Sequence, residues 1–334
     1  MNNVDLHYTV EGSGETIVFV HGLSDNLTYW EFLASNLRHD YQVVRADLRG
    51  HGQTELDDDE ISIETYVEDL HGLLDDLNID KINLVGFSMG GAVALDFAVR
   101  YPDIVSSLVL MACFYKADEH SEIIFNQWKD ALKISFNEFY DLILPMVVCP
   151  DFIEDNKAEI EMLKDMASKS ANVRAYIKAI DACLNFDIGD ELSNIGVPTL
   201  ILAGKYDEIT SLESQKELQG KIRNSRLIVF DDVRHNLLIG ENNEKILNII
   251  KKEFKYNDYS TLKPASSTAS LMSASLTSSD IVIVVIPESR SAFASSIPST
   301  SFKHNSTAFT HDGQCMPTTL ISFSAMINHL IVDS

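Results

Sequence analysis

One serine, one aspartate and one histidine stand where they could act on a carbonyl carbon together. Ser88 is the centre of Gly86-Phe87-Ser88-Met89-Gly90, a G-x-S-x-G pattern with a glycine two residues away on either side. Serine is a weak nucleophile at its own pKa. It needs a general base within hydrogen-bond reach, usually histidine, and the base needs a carboxylate to orient it. Asp207 lies three residues past an apolar run that ends at Gly204. His235 lies five residues past the run that closes at Phe230, so the chain order is Ser, Asp, His. Glu208 adjoins Asp207 and is the alternative carboxylate; loop position favours Asp207.

Such groups work only if sheet and helix hold them. Ile82, Leu84 and Val85 read as a buried strand, and Ala92, Val93, Leu95, Phe97 and Ala98 as a helix ending before Tyr101-Pro102. A strand that turns sharply into a helix lifts the apex side chain clear of the sheet, and only small neighbours fit beside it. The apolar run Thr16–Val20 predicts a strand covered on both faces, and it leads into His21-Gly22-Leu23. Leu6 to Val10 alternates weakly before Gly12-Ser13-Gly14, which suggests an edge hairpin. Tyr41 to Ala46 and Val105 to Met111 predict further strands, and Ile61 to Leu77 a helix. Strand and helix alternate, which predicts an α/β fold: a mostly parallel central sheet with helices on both faces.

From about Tyr115 to Asp190 the alternation stops. The pattern there is helical and acidic, with Pro145 and Pro150 as interruptions. A cap inserted at this point would lie over the strands' C-terminal ends, where ligands bind in open α/β sheets. Most of its aromatics are expected to pack the cap onto its support, with one or two facing the pocket; Trp128 is the candidate substrate contact. Strands resume at Pro198–Ala203 and Arg226–Phe230, with helices at Leu212–Leu218 and Glu241–Phe254. The domain is thus expected to span 1–257, with the cap at about 115–190. Of the 77 residues from Asp258 to Ser334, 26 are Ser or Thr, so 258–334 is expected to be a disordered low-complexity tail.

The net charge is −24, from 50 acidic and 26 basic side chains among 334 residues. Such a surface repels phosphate backbones and anionic lipid, so neither nucleic acid nor membrane is an expected partner. Cys113, Cys149, Cys183 and Cys315 stand far apart, which argues against a zinc site and gives no disulfide framework. The start Met1-Asn2-Asn3-Val4-Asp5 lacks the basic and apolar regions of a signal peptide. The longest apolar run of the tail, Ile281 to Ile286, is far shorter than a membrane span. A soluble, cytoplasmic protein is the expectation. No GxGxxG or Walker pattern is present, so no nucleotide cofactor is implied.

Taken together, His21-Gly22, Asp47-Leu48-Arg49-Gly50-His51-Gly52, Gly86-Phe87-Ser88-Met89-Gly90-Gly91, Gly204-Lys205-Tyr206-Asp207, and His235 with Glu241 downstream resemble an α/β-hydrolase. The likeness runs from Met1 to about Tyr256 and is to the small-cap branch of carboxylesterases, oxoadipate enol-lactonases and carbon–carbon bond hydrolases. It implies Ser88 as nucleophile, His235 as base, Asp207 as its orienter, and the backbone amides of Leu23 and Met89 as oxyanion hole. The implied reaction is cofactor-free cleavage of a small ester, lactone or thioester through an acyl-enzyme. Two alternatives stay open: an enol-lactone or carbon–carbon substrate, which needs a cation such as Lys116, Lys129, Lys133 or Arg174 in the pocket, and a non-catalytic binding protein. Many relatives carry a small residue before the histidine where this chain has Arg234, and a left-handed backbone there would strain the loop.

Overall fold

The structure, a computed structural model, describes residues 4–56 and 61–257. The expected tail 258–334, with Cys315, lies outside the described residues. Seven strands form one sheet: β1 (Tyr8–Gly12), β2 (Thr16–Val20), β3 (Gln42–Ala46), β4 (Ile82–Phe87), β5 (Val105–Met111), β6 (Thr199–Gly204) and β7 (Ser225–Phe230). Their spatial order is β1-β3-β2-β4-β5-β6-β7, with β1 antiparallel and the others parallel.

The apolar strands are continuous because both faces are covered. Val18, Val20, Leu84, Leu108, Leu110 and Ile201 join one core, and Ile17, Phe19, Val85, Val109, Leu200 and Leu202 the other. The first core packs under α2 (Ile63–Asp76), α3 (Met89–Arg100) and α9 (Leu212–Lys221); the second under α1 (Glu31–Leu37) and α10 (Asn242–Asn257). In α2 the buried positions Ile63, Tyr66, Val67, Leu70, Leu73 and Leu74 fall at helical intervals, behind a capping box of Ser62 and Thr65. Each large apolar side chain so buried contributes roughly 1.5–3 kcal/mol before chain entropy is counted.

After β5 the chain leaves the sheet for five helices: α4 (Glu119–Ile134), α5 (Phe136–Val147), α6 (Pro150–Asp155), α7 (Lys157–Ser170) and α8 (Val173–Leu184). Ile188 N donates to Tyr115 O at 3.1 Å, and Lys116 bridges Asp187, so the insertion's two ends meet. Two expectations need correction. β1 makes no hairpin with β2: it pairs with β3, Tyr8 facing Ala46 and Gly12 facing Gln42, because the Gly12-Ser13-Gly14 turn carries the chain past the place where β3 inserts. Pro145 does not interrupt its helix but lies near the end of α5, while Pro150 opens α6 at a position that needs no N–H. Among the described residues no helix is long and apolar enough to cross a membrane.

Candidate active site

Ser88 sits between the last residue of β4 and the first of α3, with φ 52° and ψ −118°. A non-glycine residue in that region is strained, and such strain persists only where the surroundings enforce it. Ser88 N donates to Met111 O at 2.9 Å, and Gly91 N and Ala92 N donate to Ser88 O at 2.9 and 3.2 Å. The strand end and helix start come so close that a Cβ on Gly86 would collide with the Gly90 carbonyl. Met89 N opens α3, where amides lack intrahelical acceptors and the helix dipole favours negative charge.

The histidine and aspartate converge on this serine. His235 Nε2 lies 2.9 Å from Ser88 Oγ, and His235 Nδ1 lies 2.8 Å from Asp207 Oδ2. Asp207 also accepts from Ile209 N at 2.8 Å, Thr210 N at 2.9 Å and Thr210 Oγ1 at 2.7 Å. As a carboxylate, Asp207 accepts all four of these hydrogen bonds and donates none. His235 therefore carries its proton on Nδ1 and turns the Nε2 lone pair toward Ser88. Both carboxylate and imidazole are buried. The loops that carry them touch directly: a Cβ on Gly204 would strike Arg234 O, and Tyr206 N donates to Val233 O at 3.1 Å.

Arg234 shows no left-handed backbone. Its guanidinium pairs with Glu208, Nη1 to Oε1 at 2.8 Å, so the expected strain is absent and the alternative carboxylate is engaged elsewhere. Other histidines act as straps. His21 Nε2 accepts from Leu48 N at 3.0 Å and its Nδ1 donates to Gly22 O at 2.8 Å, which ties the loop after β2 to the loop after β3. Burial, with His51 nearby, lowers the His21 pKa to about 3; burial lowers that of His51 to about 4. Asp47 accepts from Leu27 N at 2.7 Å and Gln53 N at 2.9 Å, and a buried Arg49–Asp69 pair is bidentate at 2.9 and 2.6 Å. Breaking one side of such a pair costs about 3–5 kcal/mol.

A narrow cavity of about 40 Å³ opens above Ser88 and His235. Leu23, Ser24, Asp25, Phe87 and Ile209 line it, and Trp128, Phe139, Ile143 and Val147 of the cap roof it. Trp128 lines the cavity, and its buried Nε1 has no partner among the described residues. Lys116, Lys129, Lys133 and Arg174 do not line this cavity; Lys129 pairs with Asp181 and Lys133 with Asp130. Sequence reading did not single out Asp25, Ile143 or Val147, while Phe139 is one of the cap aromatics of which one or two were expected to face the pocket. Phe139, Ile143 and Val147 recur every four residues on α5, a stripe that was open to inspection. Among the described residues no His, Cys, Asp and Glu cluster is arranged to hold a metal ion.

The strand order, the strained serine at the β4–α3 turn and the cap between β5 and β6 define an α/β-hydrolase. The chain belongs to the hydrolase family described as serine aminopeptidase, S33, whose model matches residues 13–243. It is 25% identical over 229 residues to pyrrolizixenacetamide deacetylase of Xenorhabdus hominickii, covering 68% of this chain and 86% of that one. It is 28% identical over 249 residues to 2-hydroxy-6-oxo-2,4-heptadienoate hydrolase of Pseudomonas putida, covering 69% and 86%. A thermophilic esterase from Thermogutta terrifontis superposes with a TM-score of 0.68 at 25% identity, over 76% of this chain and 94% of the esterase.

Proposed function

We propose that the chain is a cofactor-independent serine hydrolase that cleaves a small, uncharged carboxylic ester through an acyl-enzyme. The observation that carries this reading is the aligned relay, Ser88 Oγ to His235 Nε2 at 2.9 Å and His235 Nδ1 to Asp207 Oδ2 at 2.8 Å. Ser88 Oγ attacks the ester carbon as its proton passes to His235 Nε2. The oxyanion lies against the amides of Leu23 and Met89, each donor lowering the barrier by roughly 3–4 kcal/mol. His235 then gives its proton to the leaving alcohol as the C–O bond breaks. A water attacks the acyl carbon, yields a proton to His235, and that proton returns to Ser88 as the acid departs. Asp207 stays ionised throughout and stabilises the imidazolium.

The cavity supports an uncharged acyl group over a dicarboxylic lactone or ring-fission diketone. No lysine or arginine lines it, whereas Asp25 does, and a substrate carboxylate would meet like charge in a poorly hydrated place. The unpartnered Trp128 Nε1 supplies a hydrogen-bond donor for a neutral oxygen on the acyl group. A fluorophosphonate probe should modify Ser88, read by peptide mass spectrometry, and p-nitrophenyl esters should turn over faster than carboxylate-bearing lactones. A chain that refuses the probe and hydrolyses no ester, lactone or thioester is a binding protein, and the proposal fails.

A further inference from the structure

The segment that follows the acid is also held from above, by the cap. His120 stands in the first turn of α4, which opens on a capping box: Ser121 N donates to Asp118 Oδ1 and Asp118 N to Ser121 Oγ, both at 2.8 Å. That box fixes where the helix starts, and so where the His120 side chain leaves it. His120 Nε2 lies 2.8 Å from Glu208 O. A carbonyl only accepts, so the imidazole carries a proton on Nε2 and donates it. Phe125 of α4, Ile209 and Thr210 line one small cleft together with His120, beside this bond.

The position of that carbonyl matters more than the strength of the bond. Glu208 O and Ile209 N belong to one peptide group, which is planar and rigid. Ile209 N donates to Asp207 Oδ1 at 2.8 Å. Holding the oxygen therefore aims the N–H on the other side of the same plane. Hydrogen bonds then run without a break from the cap to the nucleophile: His120 to the 208–209 peptide, that peptide to Asp207, Asp207 to His235, and His235 to Ser88. Linked hydrogen bonds polarise one another, so a donor at the peptide oxygen strengthens the donor at its nitrogen. The Glu208 side chain stands outside this chain, since its carboxylate pairs with Arg234.

We propose that His120 is a positioning residue: through the 208–209 peptide it steadies Asp207, and so ties the seating of the cap to the alignment of the relay. The bonds at the sheet edge set that alignment, and His120 adds a modest increment. It touches neither substrate nor reacting atoms. Its effect on rate rests on the ester-hydrolase reading; the hydrogen-bond coupling does not. His120 is exposed, so its substitution leaves the core untouched.

In the full chain, His120→Ala should lower kcat for p-nitrophenyl acetate and p-nitrophenyl butyrate by one common factor, about three- to tenfold, with KM within about twofold of wild type. His120→Gln keeps a donor nitrogen at the same number of bonds from the backbone and should restore kcat to within about twofold of wild type. A residue that merely seats the cap would change KM instead, and differently for the two acyl groups. The proton on His235 Nδ1 gives a second reading that needs no turnover. Its low-field NMR resonance should shift in His120→Ala and return in His120→Gln. An unchanged kcat, an effect confined to KM, a loss that glutamine does not restore, or a resonance that stays in place overturns the proposal. A wild-type chain that hydrolyses neither ester sinks the ester reading, and the His235 resonance then decides the coupling alone.

Discussion

The sheet edge and the cap meet over the same serine but hold their residues by different physics. At the sheet edge every candidate group is fixed by directional bonds among buried atoms: four donors converge on Asp207, His21 straps two loops, and Arg49 is forked onto Asp69. Moving any of these leaves a buried polar group unpaired, at about 1–3 kcal/mol each. The cap grips chiefly through non-directional apolar contact, with a few hydrogen bonds such as Asn236 N to Val147 O at 3.0 Å and His120 Nε2 with Glu208 O at 2.8 Å. Its ion pairs, such as Lys133–Asp130 and Lys169–Asp165, are solvent-exposed and worth about 0–1 kcal/mol. Ile123, Ile134, Met162 and Met166 on its outside are exposed. The contrast assigns precision to the sheet and tolerance to the cap.

Substitutions should divide along that line. The largest effect is expected for Ser88→Ala, which should cut kcat roughly a million-fold with the melting temperature held or raised; retention of a tenth of the activity would remove Ser88 from its role. Asp207→Asn should cost about ten-thousand-fold in kcat, because His235 loses the partner that sets its tautomer. Stability should fall with acid for a reason that belongs to the sheet side alone. His21 and His51 stay neutral when folded, to about pH 3 and pH 4, but charge near 6.5 when unfolded. The unfolded chain therefore binds more protons between pH 6.5 and 4. Each histidine should take away up to about 1.4 kcal/mol per pH unit across that window. Thermal unfolding at half-unit pH steps checks it, and a flat profile there would refute it.

Cap changes should be milder. Trp128→Phe keeps the ring and removes one donor worth about 0.5–1.5 kcal/mol, so KM for an oxygen-bearing acyl ester should rise about three- to tenfold with kcat nearly unchanged. Were kcat to fall a hundredfold instead, the cap would share in the chemistry and the contrast would break. The smallest effect is expected for Glu208→Gln, under twofold in kcat/KM, since Glu208 is more than half exposed in its pair with Arg234. If Glu208→Gln outweighs Asp207→Asn, the wrong carboxylate has been chosen.

The same division decided what could be read from the sequence. The convergence of Ser88, Asp207 and His235 was legible because each sits at a fixed short distance past an apolar run, and parallel strands deliver their ends to one edge. The partner of β1 was not legible: pairing is a long-range property, and the short turn after Gly12 reads as a hairpin whether or not β3 intervenes. Nor was Arg234, whose partner Glu208 lies 26 residues away. In the cap, Trp128 stood out by its size.

Between β5 and β6 the insertion is pinched at its base, where Ile188 N donates to Tyr115 O. A segment with such a narrow neck is a cassette. It can be lengthened, shortened or exchanged for another without altering the order of strands or the spacing of Ser88, Asp207 and His235. Inheritance of the reaction and inheritance of the substrate are thereby separable in this chain: descent can conserve one while recombination or drift replaces the other.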